Sequence, residues 1–149
     1  MTWRSFWLFV PVLGALAVTP HLASASQITS SSTDQCINVP WHGAPVEGTP
    51  VHIKQCDPWK NQQWALTGGQ ITGVGGLCLD VRGGQPKDGA NVVYTSCNGS
   101  PSQNWRWANG QFIGIGGKCL DIAGATPSNG ALLIIATCSS SPTQSWVVH

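Results

Sequence analysis

The sequence predicts an all-β domain made of three copies of one unit, closed on each other around a three-fold axis. Three observations predict it. The composition is turn-rich, with 18 Gly and 10 Pro in 149 residues and only 9% charged side chains, a balance that disfavours helices. Three Gln-x-Trp triplets, and the second cysteine of each of three pairs, recur with a period of 41 residues. The two ends of the chain, finally, read as the two halves of one hairpin.

The first segment stands apart from the repeat. Met1 to Arg4 is short and basic, Phe6 to Val18 is uncharged and mostly apolar, and Ala23-Ser24-Ala25 offers small residues at a cleavage position. The apolar run is too short to span a bilayer. This pattern predicts a secretory signal over 1–25, leaving a mature domain over 26–149. Without Arg4 the mature part holds six Lys plus Arg against six Asp plus Glu. A net charge of zero excludes the basic surface that nucleic acid or an anionic membrane requires. Six Trp and six Cys in the same part exclude disorder.

Cysteines behind a signal segment predict disulfides in an oxidising compartment, extracellular or periplasmic. His21, His42, His52 and His149 are scattered and no Cys-x-x-Cys occurs, so neither a metal nor another cofactor is expected.

Unit one reads Cys36-Ile37-Asn38-Val39, then Cys56, then Gln62-Gln63-Trp64. Unit two reads Cys78-Leu79-Asp80-Val81, Cys97 and Gln103-Asn104-Trp105. Unit three reads Cys119-Leu120-Asp121-Ile122, Cys138 and Gln144-Ser145-Trp146. A repeat of this kind sets the architecture before local propensity does. Propellers typically need at least four blades and open solenoids need polar caps; three uncapped units close on themselves.

The joints between units are hairpins. Trp105 to Ala108, Asn109-Gly110 and Gln111 to Ile113 read as strand, type I′ turn and strand. Trp64 to Thr67, Gly68-Gly69 and Gln70 to Thr72 repeat the pattern. Unit three ends at Trp146 to His149 without a returning strand, but Gln27-Ile28-Thr29 matches Gln70-Ile71-Thr72. First and last strands are therefore expected to pair.

Three Gln-x-Trp triplets, each 25 or 26 residues after a Cys-hydrophobic-Asp/Asn start, resemble the ricin-B-like lectin family from about Gln27 to His149. The resemblance implies a β-trefoil of twelve strands, one disulfide inside each unit, and at most one sugar pocket per unit. The repeat agrees with Cys36–Cys56, Cys78–Cys97 and Cys119–Cys138, out of fifteen pairings open to six cysteines.

Within each triplet the Trp is expected to anchor the core, with the three rings meeting near the barrel floor. Gln62, Gln103 and Gln144 are suited to satisfy backbone groups where the chain bends. In sugar-binding members of the family an Asp two after the first Cys grips two hydroxyls. An aromatic two before the second Cys stacks on the ring, and a Gln four before it and an Asn ahead of the triplet add hydrogen bonds. Unit two keeps Asp80 but has Val93, Thr95 and Ser102 at the other places. Unit three keeps Asp121 beside Ile134, Ala136 and Thr143. Unit one has Asn38, His52, Lys54 and Asn61, all able to hydrogen-bond, plus Trp41 and Trp59, which the other units lack. Trp41 could replace the lost stacking ring, or Trp41 and Trp59 could simply pack against each other over the barrel rim. Asp80 and Asp121 could equally brace the Gly-containing turns that follow them.

The candidate carbohydrate-binding set is therefore Asn38, Trp41, His52, Lys54, Asn61, Gln62, Asp80, Gln103, Asp121 and Gln144. These residues point to a secreted, non-enzymatic binder of glycans or glycoconjugates with unusual specificity. The alternative is a non-sugar trefoil acting as a protease inhibitor or effector through its loops. Non-reducing peptide mapping should recover the three within-unit disulfides; any bridge between units would contradict the repeat.

Overall fold

A computed structural model describes residues 24–40, 43–44 and 46–149. Most of the expected signal segment, and Trp41, lie outside the described residues. Among those described, no helix is long and apolar enough to cross a membrane.

Thirteen short strands lie among the described residues. Unit one contributes β1 (Ile28–Ser30), β2 (Cys36–Asn38), β3 (Thr49–Pro50), β4 (His52–Lys54) and β5 (Ala65–Thr67). Unit two contributes β6 (Gln70–Thr72), β7 (Cys78–Val81), β8 (Val92–Thr95) and β9 (Arg106–Ala108). Unit three contributes β10 (Gln111–Ile113), β11 (Cys119–Ile122), β12 (Leu133–Ala136) and β13 (Trp146–Val148). Twelve of these are the strands expected. The thirteenth, β3, is where unit one pairs most extensively with its neighbour: Thr49 and Pro50 oppose Tyr94 and Val93 of β8. The same junction recurs as single bridges, Asn91 to Ile134 and Leu132 to His52. The three units thus grip each other in a ring.

The hairpin joints form as expected. Asn109 and Gly110 have φ of 51° and 76°, and Gly68 and Gly69 have 59° and 85°. Two successive positive φ values are what a type I′ turn requires. The ends of the domain pair antiparallel, Ile28 with Val148 and Ser30 with Trp146. His149 N donates to Gln27 O at 3.0 Å, which closes the barrel. All three disulfides are within units, with Cα–Cα distances of 5.0, 5.1 and 5.0 Å. Each closes a loop of 19 or 20 residues, worth about 3 kcal/mol on the chain-entropy model.

One apolar cluster fills the barrel, and the triplet tryptophans belong to it. Each indole N–H donates within its own unit: Trp64 to Ile37 O, Trp105 to Leu79 O and Trp146 to Leu120 O, at 3.0, 3.1 and 3.2 Å. The aromatic pair Trp64 makes is edge-on with Tyr94 at 5.9 Å, not with another triplet ring as expected. Gly73 is required by close approach: a Cβ there would sit 2.7 Å from the Trp64 ring. Tyr94 points into the core, away from the face of Val93 and Thr95, because neighbouring strand residues alternate sides. Burial pushes its phenol up to about 12, and its hydroxyl donates to Val74 O.

A second three-fold device bridges the units. Glu47, Asp88 and Asn129, 41 residues apart and each followed by Gly, reach the end of the next unit's strand. Glu47 accepts from Ser96 N at 3.0 Å, Asp88 from Thr137 Oγ1 at 2.8 Å, and Asn129 from Gln55 N at 3.0 Å. Asp88 also pairs with Lys118 at 2.7 Å. Hydrogen bonds from Ser96 and Thr95 hold the Glu47 carboxyl below its ordinary value.

Deleting 146–149 or 27–29 should each unfold the domain, because each removes half of the closing hairpin. Loss of a buried Trp alone costs about 3–5 kcal/mol, a large share of a small domain's stability. Urea denaturation followed by tryptophan emission checks this; two truncations with the full-length midpoint would contradict the closure.

Candidate functional site

Each unit builds the same scaffold around its first strand. The Asx two residues after the first Cys shares that Cys's side of the strand, since side chains alternate. After the second Cys the chain bends through a single 3₁₀ turn: Lys60–Gln62, Pro101–Gln103 and Pro142–Gln144. The turn ends on the buried triplet Gln. Gln103 accepts from Asn98 N at 2.8 Å and donates to Ser96 O at 2.8 Å and Asp80 Oδ2 at 3.1 Å. Gln144 repeats this with Ser139 N, Thr137 O and Asp121 Oδ2. Gln62 does so with Asp57 N, Gln55 O and Asn38 Oδ1. The three glutamines are 0–2% exposed; they hold the Asx residues in place from beneath.

Unit three offers little beyond that scaffold. Asp121 Oδ1 accepts from Ile122 N at 2.7 Å and Oδ2 from Gln144, so both oxygens are engaged. Its facing residues, Ile134 opposite Asp121 and Ala136 opposite Cys119, have no polar side-chain atoms. In unit two, Asp80 lines an open cleft of about 470 Å³ with Arg82, Thr95 and Ser102. Asp80 Oδ1 is buried with no hydrogen-bond partner among the described residues. Thr95, in the place of the aromatic, donates to Glu47, and Arg82 donates to Gly48 O at 3.1 Å. Neither Asp accepts a hydrogen bond from the Gly83-Gly84 or Gly124 turns among the described residues, so the bracing role is not seen.

Unit one differs in kind. Asn38 lies opposite His52, and Cys36 opposite Lys54. Asn38 Oδ1 accepts from Asn61 Nδ2 at 2.9 Å and from Gln62, and its Nδ2 lies 2.9 Å from His52 Nε2. Asn61 also donates to Val39 O at 3.1 Å. Asn38, 2% exposed, is thus consumed by its neighbours, and His52 serves it as acceptor. Lys54 and Asn61 instead line a cleft of about 490 Å³ with Asp57, Trp59 and Lys60. Trp59 is 69% exposed, held at the rim by a tight turn in which its N donates to Asp57 Oδ1 at 3.0 Å. Ser100 and Ser141 occupy the same turn position in units two and three, their N–H groups donating to Asn98 Oδ1 and Ser139 Oγ.

The expected residues therefore separate. Lys54 and Asn61 face the unit-one cleft, and Asp80 faces the unit-two cleft. Asn38, Gln62, Gln103 and Gln144 lie beneath the surface, and Trp41 falls outside the described residues. Trp59, absent from the candidate set, holds the exposed position. Its signal in the sequence was that it breaks the repeat at a position otherwise occupied by Ser.

A model of the ricin-type beta-trefoil lectin domain matches residues 24–146. The chain belongs to that family. A search of curated protein sequences returned no match. Among solved structures, this lectin domain is similar to the designed three-fold symmetric protein ThreeFoil, with TM-score 0.75, 26% identity, and coverage of 83% of this chain and 96% of that one. It also resembles the agglutinin from Abrus precatorius (TM-score 0.74, 23% identity, 90% of this chain and 51% of that one). A third match is the C-half of an earthworm R-type lectin in complex with GalNAc, at TM-score 0.69 and 15% identity over 84% and 97%.

The unit-one network makes the lectin domain sensitive to acid. Burial, and then the Lys54 charge, hold the His52 imidazole below its ordinary value. The unfolded chain therefore takes up the proton more readily than the folded one. This stabilisation is complete above the unfolded value of about 6.5 and is lost as pH falls through the lowered folded value. The melting temperature should fall as the pH drops below about 7, and His52→Gln should flatten that slope. An unchanged slope in the variant would contradict the assignment. Gln103→Ala, which strands the Asn98 N–H, should cost about 2 kcal/mol by urea denaturation.

Proposed function

We propose that this lectin domain is a secreted carbohydrate-binding protein, without enzymatic activity of its own, that engages glycans or glycoconjugates chiefly through unit one. The observation that carries this reading is the exposed Trp59 indole on the rim of the cleft that also holds Lys54, Asp57, Lys60 and Asn61. An aromatic face meets the apolar C–H face of a sugar ring, while amide, ammonium and carboxylate groups meet its hydroxyls. Trp59 takes the stacking role that the sequence assigned to Trp41, from the loop after the second Cys rather than from the loop after the first strand. The family pattern is worn down in the other units, which supports an atypical specificity.

Unit two supports an auxiliary contact. Asp80 lines the unit-two cleft with Thr95 and Ser102, and carboxylate and hydroxyl groups of this kind hydrogen-bond sugar hydroxyls. Occupying both clefts with one branched or clustered glycan would raise avidity without new contacts. Export is supported by three disulfides, which persist in oxidising compartments, together with the signal pattern over 1–25.

A glycan array probed with residues 26–149, before and after Trp59→Ala, tests the proposal. The substitution should weaken binding about tenfold, equivalent to about 1.4 kcal/mol, and leave the melting temperature unchanged because the ring is exposed. Binding that survives Trp59→Ala but disappears in Asp80→Asn would move the site to unit two. No glycan bound, with inhibition in a protease panel, would favour the non-sugar alternative.

A further inference from the structure

The three hairpins at the floor of the barrel are equivalent by the repeat, yet one departs from the other two at two places at once. The central cross-strand pairs are Leu66 with Ile71, Trp107 with Phe112, and Val148 with Ile28. Ile71, Phe112 and Ile28 are buried. Against them stand two aliphatic residues and one indole, and Trp107 is 43% exposed. Its ring lies on Phe112, with centroids 4.4 Å apart and planes tilted by 51°.

The second departure lies on the adjoining hairpin. Gln27 and Gln111, at the start of their strands, donate to Asp57 O at 2.6 Å and Ser139 O at 2.8 Å. Gln70 holds the same place in the repeat and makes no side-chain hydrogen bond among the described residues. Gln70 instead lines a cleft of about 190 Å³ between the β5–β6 and β9–β10 hairpins, with Leu66, Thr67, Trp107 and Phe112. Gly68 and Gln70 also border an adjoining recess that reaches Asn104. The Asn104 side chain lies over Gly69, where a Cβ would come within 2.2 Å of its Oδ1, and it too has no side-chain partner among the described residues.

From this coincidence the geometry points to a second glycan site on the barrel floor, in which Trp107 stacks on one pyranose ring while Gln70 and Asn104 bind its hydroxyls. The chemistry selects this ligand class. A carboxamide both donates and accepts, as a sugar hydroxyl does, and the free indole face suits an apolar C–H face. No charged side chain lines either recess, so a neutral glycan fits where a phosphate or an acidic sugar does not. The cleft is smaller than the roughly 300–1,000 Å³ of drug-sized pockets and suits a single terminal ring. This site shares with the function proposed above only the class of ligand; the Trp59 cleft is built from other elements.

Indole N–H signals in a ¹⁵N–¹H spectrum of residues 26–149 read the two sites separately. Titration with neutral methyl pyranosides (galactoside, glucoside, mannoside and N-acetylglucosaminide) should shift the Trp107 signal with at least one of them. Trp59→Ala should leave that shift in place, and Gln70→Ala should weaken the titration about tenfold. Trp107→Leu, which installs the unit-one residue, should abolish binding at this site while the Trp59 signal still responds. A Trp107 signal unmoved by every pyranoside would overturn the floor site whether or not Trp59 responds, and a Trp59 signal unmoved while Trp107 shifts would overturn only the unit-one reading. If Trp107→Leu does not fold, the wild-type shifts together with Gln70→Ala decide the matter, since Gln70 makes no side-chain hydrogen bond that folding would lose.

Discussion

Gln62, Gln103 and Gln144 end their 3₁₀ turns with the carboxamide turned inward, and each makes three hydrogen bonds. The oxygen takes a backbone N–H after the second Cys. The nitrogen serves a backbone carbonyl and the Asx of the first strand. A buried amide must be satisfied in full or it costs the fold about 1–3 kcal/mol. That constraint ties together the loop behind the disulfide, the first strand and the floor of the pocket. The adjoining Trp adds the indole bond to the carbonyl immediately before the same Asx. Fold and candidate site share one scaffold, so each Asx residue has a structural role whatever faces it across the strand.

What distinguishes the units is what stands above that scaffold. Where the facing residues are Ile134 and Ala136, the pocket has been paved with apolar surface. In unit two the cross-unit carboxylate of Glu47 takes up Thr95 and Ser96, and one Asp80 oxygen is buried without a partner among the described residues. In unit one the polar residues turn toward each other, and the exposed chemistry passes to Trp59 and its neighbours. The repeat maintains the barrel; Tyr94, Phe112 and Asn38 depart from it inside the core, whereas other departures stand at or near the surface. Trp59, Trp107 and Gln70 are departures of this kind.

The cross-unit contacts explain how a domain of such short strands closes. Most strands have three or four residues, below the length at which isolated hairpins are stable. Closure supplies what length does not. Thr49 and Pro50, Asn91 and Leu132 tie each unit to the next, and the Glu47, Asp88 and Asn129 side chains reinforce the same seams from outside. The Glu/Asp/Asn-Gly dipeptides spaced by 41 were visible in the sequence as a periodic feature, but their partners lie 49 or 74 residues away along the chain, and no spacing names them.

The sequence by itself determined the three-fold repeat, the disulfide pairing, the hairpin joints and the union of the two ends, because each of these follows from periodicity and turn chemistry along the chain. It also placed the triplet glutamines where the chain bends, since that depends only on local geometry. Tertiary structure alone decided which polar residues remain available to a ligand. Asn38 and His52 look in sequence like binding groups, and packing makes them each other's partners. Trp59 looks like a loop residue, and the bend after Cys56 makes it the exposed ring of unit one. The availability of a hydrogen-bonding atom is a property of everything within about 3 Å of it, and in this fold those neighbours come from distant parts of the chain.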